Sequence, residues 1–228
     1  MDLKDYIAIA ALLISITSLV ITLLQKRKEN YRTIRKNLSD TLESVAKIAI
    51  ETTKLRQTND ESDAVVDLRR AYNTQRRVLI VHADFLVTEN DEIVTEIDCN
   101  ILATALISIG DLERAEHYWS KTIEKSQNDS IKHMNLRGYA RFLFLQGQFQ
   151  LGRSKYEDAL RLKLADNDYN RRLVTDTCIL WAKVEREHGN ISEFRRLVGL
   201  AHGYCSRIGN MTMRDEMEKQ INLLEPTT

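Results

Sequence analysis

The first 109 residues contain neither glycine nor proline. All 8 glycines lie at or beyond Gly110, and the 1 proline is Pro226. Glycine supplies the positive φ that tight hairpin turns need, and proline interrupts helices. A stretch this long without either is a poor substrate for short strands joined by tight turns, so sandwiches and barrels are excluded. The shortage extends to the whole chain, since average usage would give 228 residues roughly 16 glycines and 11 prolines. Collagen-like and low-complexity architectures are excluded too. The chain is expected to be all-α.

One apolar run stands out near the start. Residues 6–24 read YIAIAALLISITSLVITLL, 19 positions without a charge. A helix of that length spans about 28 Å, close to the ~30 Å of a bilayer's hydrocarbon core. The expectation is a single transmembrane helix over 6–24. A cleaved signal peptide is excluded, because Asp2, Lys4 and Asp5 do not make a basic leader and QKRK follows the run. Lys26, Arg27, Lys28, Arg32, Arg35 and Lys36 crowd the C-terminal flank. By the positive-inside rule the N-terminus lies outside and the rest of the chain is cytoplasmic. The Asn-x-Ser/Thr triplets at Asn37, Asn128, Asn190 and Asn210 would then escape glycosylation. Within the run, Ala8, Ala11, Ser15, Ser18 and Thr22 recur at spacings of 3 and 4. Such a stripe either brings helices together as a homo-oligomer or holds hydroxyls that bond their own backbone.

Residues 25–62 read as a basic juxtamembrane segment followed by an amphipathic linker helix. Tyr31, Ile34, Leu38, Thr41, Val45, Ile48, Thr52 and Leu55 step by 3 and 4, and Leu42 and Ala49 widen the stripe. This face either packs on the helical domain that follows or forms a dimeric stalk. A solvated turn over 57–63 ends it. Charge is balanced, 33 Lys+Arg against 33 Asp+Glu, which removes the usual electrostatic signature of a nucleic-acid binder. Three cysteines without a C-x-x-C pair give no disulfide framework and fit a reducing compartment.

Residues 63–228 form the main helical domain, and its second half repeats. Three segments align: Ala103 through Gly110 to Ala115 and Trp119; Ala140 through Gly147 to Gly152 and Tyr156; Ala182 through Gly189 to Phe194 and Val198. In each, a small residue stands 7 before a glycine, an apolar one 2 after it and a bulky one 9 after it. The glycine fits a left-handed helix closer, and the alanine lets a paired helix approach. Longer loops are expected around 127–130 and 165–169, with flanking helices over 63–88 and 213–224 covering the ends of the array.

The phrases GDLERAEHYWSKTI and GQFQLGRSKYEDAL resemble the second helix of the tetratricopeptide repeat. The resemblance covers residues 92–208, with glycine spacings of 37 and 42 rather than the family's own and without its closing proline. It implies an array of helical hairpins whose inner groove is lined by the first helix of each repeat. Carried onto this chain, those groove positions are Asn100 and Thr104, Arg137 and Arg141, and Ile179 and Lys183.

No catalytic constellation, cofactor motif or metal site emerges. His202 and Cys205 lie three apart but lack a second pair of ligands, and nothing supplies Cys205 with a base. Gly199 and Gly203 read as a close helix contact. The pairs Arg69–Arg70, Arg76–Arg77, Arg171–Arg172 and Arg195–Arg196 read as solvated faces or, beside a membrane, as headgroup contacts. The expected function is a non-enzymatic, membrane-anchored adaptor that binds a protein or peptide partner, an acidic one by the cations of its groove. The alternative is an oligomerising sensor or effector whose membrane helices assemble to act on the bilayer.

Overall fold

A computed structural model describes residues 3–58 and 62–224, with side chains from Leu13 onward. Among the described residues there are nine α-helices: α1 (Leu3–Gln57), α2 (Asp63–Glu89), α3 (Glu96–Ile109), α4 (Leu112–Glu124), α5 (Asp129–Leu145), α6 (Phe149–Arg161), α7 (Asp168–Glu187), α8 (Ile191–Cys205) and α9 (Met211–Asn222). A single 3-10 turn, Asp91–Ile93, joins α2 to α3. The chain divides into two compact units, Met1–Asp111 and Leu112–Thr228.

In the first unit, α1 and α2 pack along each other and α3 packs on both. The amphipathic stripe of α1 faces this core: Leu38, Leu42, Val45 and Ile48 are buried, and Thr41 and Thr52 with them. Opposite them lie Ile80, Ala83 and Val87 of α2 and Leu102 and Leu106 of α3. From Leu38 to Thr52 the stripe therefore packs within its own unit, while Tyr31 at its start is exposed. Thr95 caps α3 through a capping box with Asp98, and the buried Asp98 carboxylate also accepts from Arg35 at 2.6 Å.

The transmembrane expectation is corrected here. Among the described residues no helix is long and apolar enough to cross a membrane. The uncharged run belongs to one helix, α1, that begins at Leu3. The helix carries on past it without a break to Gln57. Arg35, expected to anchor the flank of a span, serves the core by pairing with Asp98. The single-pass anchor over 6–24, the outside N-terminus and the cytoplasmic localisation are thus not supported. Of the small-residue stripe, Ala8 and Ala11 lie outside the described side chains. Ser15, Ser18 and Thr22 are exposed, and the Thr22 hydroxyl donates to the Ser18 carbonyl oxygen at 2.9 Å.

The second unit is built from antiparallel helix pairs, α5 with α6 and α7 with α8. α4 packs on α5, and α9 closes the end against α7 and α8. The three glycines marked by the repeat pattern are left-handed, with φ of 82° at Gly110, 72° at Gly147 and 76° at Gly189. Asparagine caps four helices: the Asn128, Asn167, Asn190 and Asn210 side chains accept from the backbone N–H three residues on, opening α5, α7, α8 and α9. Three of these, Asn128, Asn190 and Asn210, also begin the triplets noted in the sequence.

Packing in this unit is tight where small residues face large ones. A Cβ on Gly138 would meet the Trp119 indole at 2.5 Å, and one on Gly152 would meet the Phe144 ring at 2.6 Å. Gly199 and Gly203 are different, because a Cβ there would meet nothing within 4 Å. They do not mark the close helix contact that their spacing suggested.

Candidate binding face

α5 and α7 are neighbours in the second unit, and each carries groove positions implied by the repeat resemblance. The Asn128 cap and the alternation of buried and polar positions fix how α5 sits. His133, Leu136, Ala140 and Leu143 point into the core. Arg137 and Arg141, four apart, share the next face. On α7, Asp176 and Lys183 are seven apart and also share a face.

The two faces are tied by Arg137, whose Nη1 donates to Asp176 Oδ2 at 2.5 Å. A cavity of ≈ 220 Å³ opens beside this pair, lined also by Met134, Tyr169, Arg172 and Met217. Arg172 reaches Glu216 of α9 at 3.4 Å. Arg141 is exposed and Lys183 half-buried, and among the described residues neither makes an ion pair. Ile179 does not line this face. It is wholly buried and belongs to the hydrophobic core of the unit.

Beneath the face lies a polar core that the repeat pattern did not reveal. His133 is fully buried, with Nδ1 2.9 Å from the Ala159 carbonyl oxygen and Nε2 2.8 Å from the Thr177 hydroxyl. A carbonyl can only accept, so Nδ1 carries a proton toward Ala159, while the single Thr177 hydroxyl proton faces both His133 Nε2 and the Leu173 carbonyl oxygen, 2.9 Å from the hydroxyl. Burial, with Arg137 nearby, lowers the pKa of His133 to about 4 against the hydrogen bond to Ala159.

Glu185 is likewise fully buried. It accepts from Arg153 Nε and Nη2, both at 2.7 Å, and from Trp181 Nε1 and Asn190 Nδ2, both at 2.9 Å. Burial alone would raise its pKa; these four donors and the charge of Arg153 outweigh it and hold the pKa below the usual value. Trp181 stacks on Tyr156 with ring centroids 5.1 Å apart. The partners of Glu185 lie on three elements, so no sequence period marks this centre.

Asn100 and Thr104, the other implied groove positions, belong to the first unit. They line a cavity of ≈ 360 Å³ with Val45, Ala49 and Ile50 of α1 and Ile101 of α3. The three cysteines are buried and form no disulfide among the described residues, and burial pushes the Cys178 thiol up to about 12. Burial likewise raises Cys205, which leaves it a poor nucleophile. Among the described residues no cluster of three His, Cys, Asp or Glu side chains could hold a metal ion.

Comparison of the chain with family models, with curated proteins and with solved structures finds no match. The structure itself defines a class: an all-α protein built of antiparallel helix pairs, consistent with a helical repeat.

Proposed function

We propose that this chain is a binding module, a scaffold of tetratricopeptide-like hairpins whose α5–α7 face holds an acidic segment of a protein or peptide partner. One observation carries the reading. Arg141 and Lys183 lack a carboxylate among the described residues, whereas Arg137, Arg153, Arg171 and Arg196 all have one. Cations left without counter-charges, on the helices whose Arg137–Asp176 pair borders a cavity that two methionines help to line, suit a ligand with carboxylates and apolar side chains. The repeat pattern supports the same face, because first helices of successive hairpins are where such scaffolds present their groove.

The test is fluorescence anisotropy with two labelled peptides, one alternating Glu with Leu and one alternating Gln with Leu. The expected result is binding of the Glu peptide at least tenfold tighter, with the preference lost in Arg141→Gln combined with Lys183→Gln. Equal binding of the two peptides by the parent chain contradicts the proposal.

A further inference from the structure

From sequence, Arg76, paired with Arg77, reads as part of a solvated face or a headgroup contact. In the structure it is 8 % exposed, in the interior of α2. Its Nη2 donates two long hydrogen bonds, to Asn73 Oδ1 and to the Ser108 carbonyl oxygen, each 3.3 Å. Its Nε is buried with no partner at all. Among the described residues no carboxylate pairs with it. Burial, and then the like charges of Arg56 and Arg77, depress its pKa, so the neighbourhood adds cations rather than counter-charge. An unpaired buried guanidinium is among the costliest groups a protein interior can hold.

Arg76 stands at the border of the ≈ 360 Å³ cavity that Asn100 and Thr104 line. That volume is near the lower end of the roughly 300–1,000 Å³ of small-molecule sites. The rest of its wall is largely aliphatic, from Val45, Ala49 and Ile50 of α1 and Ile101 of α3. An apolar chamber with one uncompensated cation at its edge complements an anion with an apolar body. We propose that this cavity binds a small amphiphilic carboxylate, whose carboxylate pairs with Arg76 and whose hydrocarbon part lies against α1 and α3. The site is confined to the first unit and is independent of the α5–α7 face.

Calorimetric titration of the full chain with octanoate, 1-octanol and inorganic phosphate tests it. Octanoate is expected to bind saturably, with octanol and phosphate at least tenfold weaker, since one lacks the charge and the other the apolar body. Arg76→Met should weaken octanoate at least tenfold. Because it removes an unpaired buried charge, it should also melt at the same or a higher temperature than the parent without ligand. A purely structural Arg76 would do the opposite and lower the melting temperature. Ala49→Phe fills the chamber from α1, leaves the guanidinium in place and should likewise abolish octanoate binding. If Arg76→Met fails to fold, the parent's selectivity and Ala49→Phe decide. Absent octanoate binding, equal affinity for octanoate and octanol, or unchanged octanoate binding in Ala49→Phe would each overturn the proposal.

Discussion

Single residues in the second unit differ sharply in what they tolerate. Gly138 faces the Trp119 indole so closely that Gly138→Ala overpacks the α4–α5 contact, at a cost of roughly 1–3 kcal/mol. Gly199 sits inside α8 with open space around it, so Gly199→Ala should raise stability by about 0.5–1 kcal/mol through helix propensity alone. Both tryptophans, Trp119 and Trp181, belong to this unit, so denaturation followed by tryptophan fluorescence reads it directly. Opposite signs for the two variants are expected; equal effects would place the indole elsewhere. His133 gives a pH signature of its own. Its folded pKa of about 4 lies below the ordinary 6.5, so the unfolded chain takes up the proton more readily. Its contribution is complete above pH 6.5, shrinks as the pH falls from there to about 4, and amounts to roughly 3 kcal/mol. An NMR titration of the imidazole should find it neutral at pH 6, and protonation near 6.5 would contradict its burial.

At the scale of elements, the turns were the most legible part. One residue type, glycine, closes α3, α5 and α7, and the positive φ at Gly110, Gly147 and Gly189 follows from local sterics that need no knowledge of the rest of the chain. Ala140 and Ala182 are wholly buried for a similar reason, a fixed spacing within one hairpin, and Ala103 is wholly buried within the first unit. The stripe from Leu38 to Thr52 was equally plain as a face, but sequence could not choose between a stalk and self-packing, because the partner surface on α2 is distant in the chain. The Glu185 centre was illegible for a stronger version of that reason. Arg153 on α6, Trp181 on α7 and the Asn190 cap of α8 meet at one carboxylate without any shared period. Glu185→Gln keeps the volume and strips Arg153 of its counter-charge, and should cost roughly 3 kcal/mol at neutral pH; Arg153, 25 % exposed, recovers some hydration. Because the folded pKa of Glu185 is lowered, its contribution is present at neutral pH and is lost as the pH falls through that lowered value. The gap between parent and variant should therefore narrow in acid, and a gap that widens would contradict the pairing.

Across the whole molecule, composition set the class and misjudged one segment. The absence of glycine and proline before Gly110 gives a 55-residue helix and two more after it in the first unit. The same uninterrupted run invited a membrane span, but an uncharged run cannot by itself tell an anchor from part of a longer helix. Of the candidate site, only placement was legible. Arg141 and Lys183 were implied by the repeat register, while their lack of ion-pair partners depends on which carboxylates the fold brings near them, as it brings Asp176 to Arg137. The proposed role of these two cations is to read acidic partners. Reversing them, Arg141→Glu with Lys183→Glu, and measuring affinity for Glu-Leu and Lys-Leu peptides tests it most directly. An inverted preference, with the Lys peptide bound at least tenfold more tightly than the Glu peptide, is the predicted result. A reversed-charge chain of unchanged helical content that still prefers the Glu peptide would contradict it.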